Sequence, residues 1–155
     1  MKLHLGCGNR YLPGFFHIDA INYDGHIDHV GDIAKLNFIE TNSVKEIYAS
    51  HVLEHFKRHQ IEEVLNEWNR VLQVNGILRI AVPNFAAIVN HYNQHKDISK
   101  LIGLLYGGQT YDYNFHHVCF DFISLKELLE KSNYKSVKEY DWRTFLPDAF
   151  DDYSK

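Results

Sequence analysis

Two cysteines, Cys7 and Cys119, are all that this 155-residue chain contains, too few for the disulfide framework that staples small secreted domains. It has no run of about eighteen apolar residues, so a membrane-spanning helix is not expected. The start of the chain enters a strand pattern directly, without a basic segment followed by a long apolar stretch, and the cytosol is the expected compartment. Basic runs are missing too, and the formal net charge is −4. A nucleic-acid partner held through its phosphates needs the opposite sign. The negative charge is modest, which implies no acidic tail. With only three prolines and no repeat, linker or low-complexity tract, residues 1–155 read as a single domain. What is plentiful is material for a core: 45% of residues are hydrophobic and 14% aromatic, ample for one buried centre in a chain of this size.

Strand and helix patterns alternate along the chain. Lys2-Leu3-His4-Leu5 and Phe15-Phe16-His17-Ile18-Asp19 read as strands, a short apolar piece at 27–30 closes on Gly31-Asp32, and Val44 to Ser50 has a buried Ile47-Tyr48-Ala49 centre. Ile61, Val64, Leu65, Trp68, Val71 and Leu72 recur at three- and four-residue steps and predict a helix that Asn75-Gly76 stops. Ile77 to Val82 is then a strand cut off by Pro83. Helices are predicted over 85–94 and 98–106, and a third over 125–131 with Ser124 and Glu127 as its capping box. Between them, residues 107–117 form a loop crowded with Tyr111, Tyr113, Phe115, His116 and His117, of the kind that lids a pocket. Val137 to Trp142 reads as the last strand, and residues 146–155 have turn and end character. Alternation of this sort predicts a mostly parallel sheet covered by helices on both faces.

The chemistry concentrates at strand ends. Gly6-Cys7-Gly8 can turn tightly after the first strand and let a ligand lie against its backbone, while Asp19, ending the neighbouring strand, can accept both ribose hydroxyl protons. That is the outline of a nucleoside site. Glycine pairs occur in any turn, so the ordered set of motifs carries more than this one.

Taken in order, Leu3-His4-Leu5-Gly6-Cys7-Gly8, Phe16-His17-Ile18-Asp19, Gly31-Asp32, Ala49-Ser50-His51-Val52-Leu53-Glu54-His55 and Gly76-Ile77-Leu78-Arg79-Ile80-Ala81-Val82-Pro83 resemble a class I S-adenosylmethionine-dependent methyltransferase. The chain is most similar to the small bacterial type 11-like kind, over about residues 1–134. The resemblance implies a Rossmann-like fold and S-adenosylmethionine as cofactor. It places Gly6, Cys7 and Gly8 by the methionine part, Asp19 at the ribose, Asp32 with the Ile33 backbone at the adenine edge, and Ser50 with His51 beside the sulfonium. It also implies a methyl acceptor, expected to be a small molecule such as a saccharide. Candidate bases are His51 and His117, and candidate acceptor contacts are Asn84, Tyr111, Tyr113 and His116.

One departure from the dinucleotide fingerprint is informative. Asp19 follows Gly6 by about a dozen residues instead of about twenty, and residues 9–14, with Pro13, cannot hold the usual crossover helix. A pyrophosphate needs that helix N-terminus for its charge, so NAD and FAD are disfavoured. The usual seven-stranded sheet also ends in a two-stranded hairpin, of which only one strand is legible. Either Val137 to Trp142 pairs beside Ile77 to Val82 in a six-stranded sheet, or an uncovered edge invites a second copy and hence a homodimer.

Other readings compete with this one. His51-Val52-Leu53-Glu54-His55 matches H-x-x-E-H, the inverted zinc-protease motif of a zinc hydrolase, in which two histidines on one helical turn bind zinc and the glutamate acts as base. Here His51 follows directly on a strand and lacks an evident third ligand, so no metal is expected. Cys7 in a glycine elbow is read as a small packed residue, not a nucleophile. Asn84, where relatives often show an aspartate, supports a non-catalytic nucleoside-binding module.

Overall fold

A computed structural model describes residues 1–23 and 25–146. Its centre is a five-stranded, wholly parallel sheet in the order β3-β2-β1-β4-β5. The strands are β1 (Lys2–Leu5), β2 (Phe16–Asp19), β3 (His29–Val30), β4 (Val44–Ser50) and β5 (Leu72–Ala81), and the helices are α1 (Ile61–Val71), α2 (Phe85–His95), α3 (Ile102–Tyr106) and α4 (Phe122–Lys131). Strand β1 lies between β2 and β4, with Leu5 opposite Ile18 on one side and Ala49 on the other. The strands run side by side, so their carboxyl ends share one edge of the sheet, where ligands bind in open α/β folds.

Alternation along β4 explains the two cores. Ile47 and Ala49 join the main cluster with Leu3, Leu5, Ile18, Leu65 and Trp68, whereas Tyr48, one residue out of phase, packs with Leu12 and Leu146. That second cluster is covered by the first crossover and the 142–146 segment, with Phe15, Trp142 and Phe145 around it. The six residues 9–14, which hold no helix, are anchored instead through His17. The Leu12 amide donates to His17 Nε2 at 2.9 Å, and the ring's Nδ1–H donates to Asp28 at 3.2 Å. The shortened crossover is thus held by one buried imidazole in a defined tautomer.

On the main side, α1 carries its apolar stripe inward exactly where the sequence spacing puts it, with Ile61, Val64, Leu65, Trp68 and Val71 all buried. Trp68 donates its indole N–H to the Ile33 carbonyl at 2.9 Å, and Arg70 donates to the carbonyls of Leu36 and Ile39. These bonds satisfy a loop that has no ladder partner.

Several expected boundaries are corrected. Helix α1 ends at Val71 and β5 begins at once, so Asn75-Gly76 does not stop the helix. Left-handed Asn75 (φ 63) sits instead in a bulge where the register moves from Val44 opposite Leu72 to Glu46 opposite Ile77. The helix expected over 98–106 forms only as Ile102–Tyr106, after α2 has ended on left-handed Lys96. Helix α4 starts earlier than expected, because Asp121 is its N-cap and Asp121 with Ser124 forms the capping box. Glu127 plays no part in it.

The expected last strand does not form. Ser136 is left-handed (φ 57), residues 137–141 make no ladder, and Trp142–Thr144 is a 3-10 turn whose N-cap Asp141 accepts from the Arg143 amide. Arg79 holds this stretch by its guanidinium, 4.4 Å from the Phe145 ring centroid, while donating to Glu46 at 2.7 Å. Burial alone would raise the Glu46 carboxyl, but contacts from Lys2 and Arg79 outweigh it and hold the group below the usual carboxylate range. A six-stranded sheet with 137–142 as its sixth strand is therefore excluded. The edge of β5, which pairs with no further strand among the described residues, faces a groove of about 1030 Å³ bounded across from it by Tyr134, Val137, Tyr140 and Trp142. The rest of the expected end region, residues 147–155, lies outside the described residues. No helix among the described residues is long and apolar enough to cross a membrane.

Candidate active site

The elbow after β1 is built by a close approach. Gly6 is left-handed (φ +61), and a Cβ there would lie 2.5 Å from Val52 Cγ2, so only glycine lets the β1 elbow meet the apex of β4. The Gly6 amide donates to the Ile18 carbonyl at 2.8 Å, and the Gly8 amide to Asp19 Oδ2 at 2.8 Å. Both amides are thus spent on the fold, and a ligand meets the open surface of Gly8, where a Cβ would touch nothing within 4 Å. Cys7 between them is buried, and burial first, then the Asp19 charge, push its thiol up to about 12. The thiol stays protonated and inert, as expected of a packing residue.

Asp19 ends β2 at this elbow. Its Oδ1 accepts from the Ile21 amide at 3.0 Å and its Oδ2 from Gly8, which orients a carboxylate that still has lone pairs to offer. Asp32 is exposed and accepts from the Ala34 amide at 2.9 Å. The Ile33 side chain is buried in the core, which leaves only its backbone for a ligand. Ser50 closes β4 and is buried.

The strand-four apex turns on His51, whose φ of 54 is unusual for a residue with a side chain. Its amide extends the ladder to the Ala81 carbonyl at 2.9 Å. Its ring faces Glu54, with Nδ1 to Oε1 at 3.1 Å. A carboxylate only accepts, so Nδ1 carries the proton and Nε2 is the ring's accepting nitrogen. His51 also lines a cavity of about 470 Å³ with Ala81, Pro83, Asn84, His91 and Lys100, at the carboxyl ends of β4 and β5. Asn84 is there because it caps α2, its Oδ1 accepting from the Ala86 and Ala87 amides.

Glu54 itself was not among the expected site residues. It is fully buried on the 3-10 turn Leu53–His55, and its Oε2 has no hydrogen-bond partner. Leaving such an acceptor unsatisfied costs about 1–3 kcal/mol, more for a charged group. The sequence signal was the H-x-x-E-H string, read for its histidines instead of its acid. The zinc-protease geometry does not form, because His51 is at a strand end and only three residues of 3-10 turn follow.

The aromatic loop packs onto this apex. Gly107 (φ +75) opens it, where a Cβ would meet the Asn114 carbonyl oxygen at 2.5 Å. The His117 amide donates to the Glu54 carbonyl at 2.8 Å, and His116 Nε2 lies 3.9 Å from Glu54 Oε1. The His117 ring is exposed and is not part of the cavity lining, so of the two expected bases only His51 faces the cavity. Tyr113 is exposed as well. Tyr111 hydrogen-bonds Tyr23; burial, then this contact, push the Tyr23 hydroxyl up to about 12, with a further contribution from Asp19. The loop tip therefore reaches the Asp19 end of the crevice.

Comparison with known proteins bears on the fold. A family model described as a methyltransferase domain matches residues 19–80. A solved S-adenosylmethionine-dependent methyltransferase from Archaeoglobus fulgidus superposes with a TM-score of 0.63 at 17% identity, covering 88% of this chain and 62% of that one. This is the class I methyltransferase fold. A Thermotoga maritima S-adenosylmethionine-dependent methyltransferase matches with a TM-score of 0.58 at 13% identity, over 87% of this chain and 64% of that one. The methyltransferase CalH, solved with S-adenosylhomocysteine, matches with a TM-score of 0.53 at 16% identity, over 84% of this chain and 43% of that one. This chain thus spans less than two thirds of the length of each of these three methyltransferases. No curated protein matches it. The domain match covers residues 19–80 and the superpositions show the fold, and the elbow in that fold has an oriented carboxylate, an open glycine surface and no crossover helix that could hold a pyrophosphate.

Proposed function

We propose that residues 1–155 form one domain that transfers a methyl group from S-adenosylmethionine to an oxygen or nitrogen of a small molecule, with His51 as general base. The observation that carries this is that His51, paired with Glu54, lines the 470 Å³ cavity. When bound, S-adenosylmethionine supplies an electrophilic methyl carbon on a sulfonium. Asp19 accepts from the ribose hydroxyls, and Asp32 with the Ile33 backbone borders the adenine. Glu54 holds the His51 tautomer, so that Nε2 takes the proton that the acceptor atom loses as it bonds to carbon. Asn84 contributes to the acceptor wall, and Tyr111 closes over the cofactor side and limits water.

The net charge of −4 supports a small acceptor over a nucleic acid, and a saccharide fits the polar part of the wall, Asn84, His91 and Lys100. Two free cysteines support a reducing compartment such as the cytosol. The open edge of β5, with Val74 and Ile77 exposed, supports pairing with a second copy, which sedimentation would report.

Calorimetric titration with S-adenosylmethionine and S-adenosylhomocysteine, followed by a product assay over metabolite pools, tests the reading. We expect binding of both, turnover on at least one pool, and about 10²–10⁴-fold lower kcat in His51→Gln with cofactor affinity kept. No binding of either compound overturns the proposal. Binding without turnover on any pool favours the non-catalytic module, which the capping role of Asn84 also supports.

A further inference from the structure

Glu54 and its neighbours contain more acceptors than methyl transfer uses. His55 Nδ1 lies 3.1 Å from the Phe115 carbonyl oxygen, and His116 Nδ1 lies 2.9 Å from the Leu104 carbonyl oxygen. A carbonyl only accepts, so both rings carry their proton on Nδ1 and present Nε2 as a lone pair. The two rings meet edge to face, with centroids 4.7 Å apart, beside the buried carboxylate whose Oε2 lacks a donor. One ligand atom from each of Glu54, His55 and His116 lies within 4.8 Å of the others.

We infer that Glu54, His55 and His116 form a binding site for a divalent transition-metal ion of the zinc type, distinct from the His51/His55 pairing that the sequence string suggests. Two neutral imidazoles and a carboxylate are a recurrent zinc ligand set with room for a fourth ligand. Each imidazole already has what such ligands usually have, an Nδ1–H donated to a backbone carbonyl that sets its tautomer and direction. Zinc bonds of about 2.0–2.1 Å in a tetrahedron put ligand atoms roughly 3.3 Å apart, so from the 4.8 Å within which the trio lies the ligand atoms need to draw together by at most about 1.5 Å. The ion would satisfy the Glu54 oxygen that nothing else reaches. It would also clasp the 107–117 loop, through His116, to the turn that carries Glu54 and His55, and so fix the lid beside the acceptor cavity.

The test uses the full chain stripped with a chelator, then desalted after exposure to Zn²⁺ or Co²⁺. Half-buried His91 and exposed His95, their ring centroids 4.1 Å apart on α2, are a second pair able to take up metal, so His95→Ala is the control. We expect about one equivalent of zinc, a visible tetrahedral Co²⁺ band, a higher Tm with metal, and slower hydrogen exchange over 107–117. All four should persist in His95→Ala, and affinity should fall at least 100-fold in both His55→Ala and His116→Ala. Less than a tenth of an equivalent in the unsubstituted protein, or undiminished binding in either of those variants, overturns the site.

Discussion

Replacing Gly6 by alanine should damage the fold by an amount that can be worked from two separate causes. The residue is left-handed (φ +61), a conformation that costs a non-glycine residue about 1–2 kcal/mol. Its new Cβ would also lie 2.5 Å from Val52 Cγ2 and 3.3 Å from Cγ1. Val52 is buried in the main core and cannot swing into solvent, so overpacking adds about 1–3 kcal/mol. The total loss should be about 2–5 kcal/mol. Gly8→Ala is the internal control: the same backbone sign (φ +56) with nothing within 4 Å of the new Cβ predicts only the backbone part, about 1–2 kcal/mol. Val52→Ala alone removes two buried methyl groups and should cost about 1.5–2 kcal/mol. In the Gly6→Ala background it relieves the clash, and a double-mutant cycle should give a favourable coupling of about 1–3 kcal/mol. Urea unfolding with a shared m-value measures the unsubstituted protein and all four variants. Equal costs for Gly6→Ala and Gly8→Ala, or a coupling within about 0.5 kcal/mol of zero, would refute the claim that contact between the two strand apices makes Gly6 obligatory.

Two further outcomes follow from the site. Asp19→Ala should lower S-adenosylmethionine affinity by about 1.5–3 kcal/mol for each charge-assisted bond lost. It should also lower stability by about 1–2 kcal/mol, because the Gly8 and Ile21 amides lose their acceptor; unchanged calorimetric affinity in a folded variant would remove Asp19 from the site. Cys7 is buried with its thiol pushed up to about 12 while Cys119 is exposed, so a thiol reagent at about pH 8 should modify one cysteine in the native protein and two after denaturation. Two fast-reacting thiols in the folded chain would contradict the packing of the elbow.

Local pattern alone determined a good part of this protein. Lys2–Leu5 and Val44–Ser50 are strands and Ile61–Val71 is a helix because alternation and three-to-four spacing bury an apolar face whatever lies opposite. The shortened crossover was legible as well, since six residues with a proline cannot make a helix. Tertiary structure decided what depends on residues far apart in the chain. Val137 to Trp142 has strand-like composition, yet Ser136 turns the chain aside and Asp141 caps a 3-10 turn, so no ladder forms on β5. Composition states a preference, and ladder bonds require the backbone to arrive in register. The site divides the same way. Gly6, Asp19 and His51 are candidates by their position at strand ends, whereas the pairing of Glu54 with His116, 62 residues later, has no local signature. A buried carboxylate shows its purpose only through what surrounds it, and that is settled when the 107–117 loop folds back onto the apex of β4.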